Sequence, residues 1–217
     1  MLYYKLIENP KVVGTIINTE DNFDFKRIER FSSLKHLLKL LFEVSYSNNI
    51  PLHYILSQIY PNVFRPEIAI RNEQKLLNDI EKVRKEMNRT NFDIFSEFKY
   101  FNDFILDMIR SDLANSNILL PDRFKSHFFF ETIEECIQYH NELLNCRPCK
   151  LVEVELIDKK QIIKLDNRLL TTFENSHTSN DFYNQAKECL IGNVTENPLY
   201  EIVFQGKYQI KYHLLDL

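Results

Sequence analysis

The most conspicuous chemistry in this 217-residue chain is one carboxylate, Glu201, set in the apolar stretch LYEIVF (199–204). An unpaired charge buried in a strand is costly. Such a residue is therefore either solvated at a strand edge or kept for a purpose. The other reactive sets are weaker. Cys136, Cys146, Cys149 and Cys189 include a single CxxC, at Cys146-Arg147-Pro148-Cys149. A zinc ribbon needs a second such pair. A thioredoxin-like motif opens a helix after a strand, whereas this one ends a helix and leads into a strand. Reduced thiols are the expectation. His36, His53, His127, His140, His177 and His213 show no metal-ligand spacing, so no metal site is expected. Only Gly14, Gly192 and Gly206 are available, which excludes a phosphate-binding loop or a dinucleotide fingerprint. A bound nucleotide has to be held by side chains.

Composition narrows the class further. The hydrophobic content is 44% and the aromatic content 13%, with seventeen Phe, eleven Tyr and no Trp. That supports a packed globular core with surplus aromatics for a pocket or interface. The net charge of −4 argues against a wholesale phosphate-binding surface, while leaving room for nucleic acid in a local cleft. No apolar run reaches the length of a membrane span. No signal peptide is visible at MLYYKLIENPKVVG, and a cytoplasmic location is expected.

Positioning these residues falls to a strand–helix–strand order. LYYKLI (2–7) predicts a strand ended by Asn9-Pro10, and residues 12–17 form a second apolar run around Gly14. From about residue 24 to 116 the pattern is helical, with Pro51, Pro61 and Pro66 as punctuation. Leu76, Leu77, Ile80, Val83 and Met87 mark one helix face; Phe95, Phe98, Phe101, Ile105, Met108 and Ile109 mark another. Beyond residue 118 a strand is expected over 126–130 and a helix from Glu131-Thr132 to about Leu144. A strand over 150–156 with a hairpin partner over 161–165 follows, then short helices over 166–173 and 181–190. In the last strand Tyr200, Ile202, Phe204, Tyr208, Ile210, Tyr212 and Leu214 share one parity, and Glu201 has the other. That unbroken parity makes Gly206 a bend or bulge, not a hairpin tip. The stretch around 197–206 has the look of a protease-tag remnant, but its parity weaves it into the fold. The whole chain reads as one α+β domain with a helical insertion over about 24–116.

Several of these stretches together resemble the ADP-ribosyltransferase-like fold, a split β-sheet core. FFFETIEECIQYH (128–140) is similar to the strand that runs into a Tyr-bearing helix in poly-ADP-ribose polymerases, and YEIVF to their late strand with the catalytic glutamate. Tyr3-Tyr4, Gly14, the run from Pro121 to Ser126, Asp166 and Glu201 follow, in order, the pattern of a family of uncharacterised bacterial domains assigned to that fold. Two positions depart from the wider pattern. Tyr3 or Tyr4 stands where other classes carry a first-strand His or Arg, and Leu199 stands where arginine- and guanine-modifying members carry Gln or Glu.

The resemblance implies an NAD-dependent ADP-ribosyltransferase with NAD as co-substrate. Glycosidases that protonate a leaving oxygen need two carboxyl groups. Nicotinamide leaves NAD neutral, so one carboxylate suffices to orient a ribose hydroxyl and stabilise positive charge. That role falls to Glu201. Arg123 is expected on the diphosphate, Ser126 on the nicotinamide ribose, Phe129 and Tyr139 stacked about nicotinamide, and Tyr4 on the adenosine side. Asp166 caps the helix that follows it. The acceptor is a nucleic acid, RNA favoured, or a protein. The setting is a toxin of a phage-defence toxin–antitoxin system, so an antitoxin is an expected partner. The Phe95–Phe98–Phe101 stripe is helix core or, if exposed, the surface for such a partner. The alternatives are a catalytically inactive binding domain of the same fold and an RNA 2′-phosphotransferase-like enzyme.

Overall fold

The computed structural model describes residues 2–8, 11–21, 23–60, 74–144, 147–171 and 177–217, apart from the side chains of Phe95 and Thr171. Strands β1 (Leu2–Ile7) and β2 (Ile16–Asn18) come first. Helices α1 (Phe25–Asn48), α2 (Leu52–Ile59), α3 (Gln74–Thr90), α4 (Ile94–Glu97) and α5 (Lys99–Ala114) follow. Then come β3 (His127–Phe129), α6 (Ile133–Leu143), β4 (Lys150–Asp166), α7 (Arg168–Thr171), α8 (Ser179–Leu190) and β5 (Tyr200–Asp216). The fold is mixed α+β with one antiparallel sheet.

The chain divides into two compact units. One comprises Met1–Asp24, Arg110–Leu169 and Glu188–Leu217; the other, Phe25–Ile109 and Leu170–Lys187. In the first, β4 and β5 are 17-residue antiparallel partners over nearly their whole length, with β1 outside β4 and with β2 and β3 on the other edge of β5. Reciprocal bonds between Tyr4 and Phe130, 2.9 and 2.8 Å, join β1 to the residue after β3. The strands therefore curl until β1, β4, β5 and β3 meet in a ring. Tyr3, Phe129, Val152, Val154, Ile202, Phe204, Tyr208 and Ile210 pack together as the sheet's core, following the period-2 alternation of strands.

The parity read in β5 holds over its middle. Its even-numbered residues from Ile202 to Ile210 are all buried, whereas Tyr212 and Leu214 are exposed and Glu201 and Val203 on the other face are buried too; Gly206 at φ +147° makes the bend. A Cβ there would lie 1.9 Å from the Asp158 carbonyl oxygen, so the close approach requires glycine.

The hairpin expected between 150–156 and 161–165 does not form. Ile157-Asp158-Lys159-Lys160 carries neither glycine nor an Asn-Gly or Asp-Gly turn pair; β4 absorbs the irregularity as bulges and keeps β5 as its partner. The strand expected over 126–130 shrinks to β3, because Ser126 belongs to the preceding 3₁₀ turn, Arg123–Lys125. Helix α6 starts where its capping box puts it: Thr132 Oγ1 accepts from Glu135 N at 3.1 Å, and Glu135 reaches back to the Thr132 amide.

The helical unit follows its sequence stripes. Leu34, Leu37, Leu38 and Leu41 of α1 are fully buried, as are Leu76, Ile80, Val83 and Met87 of α3 nearly so. Ser45 Oγ donates to Ile50 O (2.6 Å) and accepts from Ser179 N (2.8 Å), tying the start of α8 to α1. Phe98 and Phe101 stack at 5.8 Å, with Phe101 buried in helix core. Pro61, Pro66 and Cys146 lie outside the described residues. Cys136, Cys149 and Cys189 are buried free thiols, and among the described residues no cluster of metal-ligating side chains occurs. No helix among them is long and apolar enough to cross a membrane.

Candidate functional site

Glu201 is 2% exposed, paired across the strands with Leu165. A solvated edge position is thereby excluded. Its site is prepared by Asp166, which does more than cap a helix. The Asp166 carboxylate accepts from Thr195 N (2.8 Å), Thr195 Oγ1 (2.6 Å), Leu199 N (2.9 Å) and Arg168 N (3.0 Å). With Asn167 N donating to Leu199 O at 2.8 Å, these bonds pin the loop that delivers β5. Burial raises the Asp166 pKa, but the hydrogen bonds outweigh it and the net shift is downward.

Glu201 has the opposite balance. Burial pushes its pKa up; the Arg123 charge, a hydrogen bond from Tyr139 and the Lys5 charge oppose this without cancelling it. Arg123 Nη1 is 3.8 Å from Glu201 Oε2, a contact of charges rather than a hydrogen bond. Glu201 Oε2 and Arg123 Nε and Nη1 are buried without hydrogen-bond partners. Tyr139, on α6, packs tilted against Phe130 with ring centroids 5.0 Å apart, and Asn167 shares its hydroxyl. Burial, then the Glu201 charge, raise the phenol above its ordinary range.

Glu201 and Tyr139 open onto a cavity of ≈ 440 Å³, whose wall also includes Lys5, Lys11, Phe128 and Phe130. This is within the ~300–1,000 Å³ usual for small-molecule sites. His127 Nδ1 and Tyr208 Oη, 2.9 Å apart, close another side. Lys5 Nζ donates to Phe128 O at 3.2 Å and lies 5.0 Å from the Phe129 ring centroid. Burial lowers its pKa to about 8, against the raising effect of Glu201.

The residues expected at the site are thus only partly brought together. Arg123 touches Glu201 and sits 4.9 Å from the Phe128 ring centroid, acting as counter-ion to the carboxylate and not as a lining residue. Ser126 is buried, and its hydroxyl donates to Asp122 O at 2.7 Å inside the 3₁₀ turn. Phe129 is wholly buried, edge-on to Phe204 and Tyr208. It is absent from the cavity wall, which its neighbours Phe128 and Phe130 line. Tyr4 packs with Phe130, Cys136 and Leu151; the first-strand residues in the cavity wall are Lys5, Leu6 and Ile7, of which Lys5 alone carries a charge. A lysine inside the aromatic strand LYYKLI was the available signal for it. Asn167 carried no such signal.

Neither the protein-family models nor the curated proteins contain a match to this chain.

Proposed function

We propose that this chain is an NAD-dependent ADP-ribosyltransferase with Glu201 as its catalytic carboxylate, modifying a nucleic acid, RNA favoured, or a protein, as a toxin restrained by an antitoxin. The observation that supports this reading best is the unpartnered Glu201 Oε2, buried in the wall of a small-molecule-sized cavity beside Tyr139. NAD supplies a ribosyl group whose nicotinamide leaves without a general acid. Glu201 accepts a ribose hydroxyl and offers negative charge where positive charge develops. Tyr139 holds the carboxylate's orientation, and Arg123 with Lys5 favours its ionised form against the effect of burial. The donor set suits the nicotinamide-ribose half: Glu201 for a hydroxyl, Lys5 and Lys11 for an anionic group, and Phe128 and Phe130 for a ring.

One observation favours a second reading, a catalytically inactive binding domain. Glu201 is almost fully buried and already engaged by Arg123 and Tyr139, as a structural polar network would be. Labelled NAD incubated with the chain and with separate RNA, DNA and protein pools distinguishes the two. Label transfer to one pool, reduced at least about 100-fold in Glu201→Gln, supports the transferase. Transfer to no pool, with any bound partner removed, overturns it.

A further inference from the structure

We propose that Lys5 is a nucleophilic amine that captures small aldehydes or ketones as an imine in the Glu201 cavity, with Glu201 supplying the proton that releases water. Three features carry this. Lys5 is a cavity-wall residue with Leu6, Ile7, Phe128, Phe130 and Leu144 as its apolar neighbours there, among polar groups that include Glu201 and Tyr139. Its Nζ is held by Phe128 O at 3.2 Å and by the Phe129 ring, which in the neutral amine leaves one N–H and the lone pair free to attack. Among the described residues no carboxylate forms an ion pair with it. An amine so placed is driven toward its neutral, nucleophilic form by desolvation, in keeping with its lowered pKa of about 8.

The proton donors stand in the same wall. Imine formation joins Nζ to the carbonyl carbon, converts the carbonyl oxygen to a hydroxyl, then expels that hydroxyl as water. Nζ gives up two hydrogens and no oxidant or reductant is required. The slow step is departure of the hydroxyl, which needs an acid. Glu201, whose buried carboxyl is biased toward protonation, and Tyr139, hydrogen-bonded to it, are the groups able to supply one. The other charged or titratable groups facing Lys5 are Lys11, which lowers its pKa, and Cys136, which raises it, with Glu8 and His127 also in the wall. The cavity's ≈ 440 Å³ and its aromatic faces suit a carbonyl compound with a flat ring.

Benzaldehyde with sodium cyanoborohydride, which reduces imines selectively, converts captured amines to stable benzyl-lysines that peptide mass spectrometry locates. Lys5 is expected to label at least about tenfold faster than Lys39, whose side chain is 64% exposed, with a rate that climbs as Lys5 sheds its proton at about pH 8 and falls once the acid beside it has lost its own. Glu201→Gln is expected to slow labelling of Lys5 about fivefold or more and to leave Lys39 unchanged, a difference of about 1 kcal/mol in barrier. A Lys5 rate no greater than that of Lys39, or one unaffected by Glu201→Gln, overturns the proposal. The wild-type comparison stands even if the variant folds poorly. No NAD enters the assay, so its failure leaves ADP-ribose transfer untouched, and the converse also holds.

Discussion

Arg123 Nη1 lies 3.8 Å from Glu201 Oε2, with a quarter of the arginine side chain and almost none of the glutamate in contact with solvent. The pair is close enough to share charge and too far apart to share a hydrogen. Removing one member of a buried pair is worse than never having had it, since the other charge is left behind. Arg123→Met is therefore expected to destabilise the fold by about 2–3 kcal/mol, below the range for fully enclosed pairs because Arg123 is partly in water. Urea unfolding measures it, and the double variant with Glu201→Gln should recover part of the loss. A cycle showing no coupling would remove the pair as a stabilising contact.

Tyr139→Phe keeps the ring against Phe130 and deletes the hydroxyl that serves Glu201 and Asn167. The expected cost is about 1–2 kcal/mol. Loss of that donor also raises the Glu201 pKa further, because the hydrogen bond favours the ionised carboxylate. Carbon-13 NMR of the labelled carboxyl follows this directly; a titration curve unmoved or moved downward contradicts the assignment.

Two buried carboxylates give stability opposite pH dependences. The Asp166 pKa is depressed in the fold, so its contribution is present above the unfolded value of about 3.9 and is lost as pH falls through the folded value. The Glu201 pKa is raised, so its contribution is full below about 4.3 and declines as pH rises through the folded value. Asp166→Asn should accordingly flatten the acid limb of stability against pH, while Glu201→Gln flattens the limb above it. Thermal unfolding across pH 2–8 reads both, and identical profiles for the two variants would refute the distinction.

Gly206→Ala combines a positive φ with a Cβ placed against the Asp158 carbonyl. About 2–3 kcal/mol of destabilisation is expected from strain of this kind, since β4 must move away from β5 to admit the methyl group. Retention of wild-type stability in a denaturant melt would show that the bulge relaxes freely.

Patterns with short range were legible before the fold was. The capping box at Thr132 and Glu135, the stripe of Leu76, Ile80, Val83 and Met87, and the parity of β5 through Gly206 depend on residues a few positions apart. The hairpin read between 150–156 and 161–165 failed for a complementary reason. Both halves have strand character, but whether they pair with each other or jointly with β5 is decided by partners 34 to 66 residues away in sequence, from Asp166–Tyr200 to Lys150–Asp216. Phe129 was misassigned on similar grounds: three consecutive phenylalanines look alike until the register with Ile202 fixes which one enters the core.

By itself the sequence determined the α+β order, the glycine bend and the presence of one carboxylate of the wrong polarity for its strand, because each is a local property of residue type and spacing. Only the tertiary structure decided that Glu201 is buried, that Arg123 is its counter-ion and that Lys5 shares its cavity. Those contacts bring together β1, the 3₁₀ turn before β3, α6 and β5. Burial and charge proximity are properties of distance in space, and they also set the pKa values on which the site's chemistry depends.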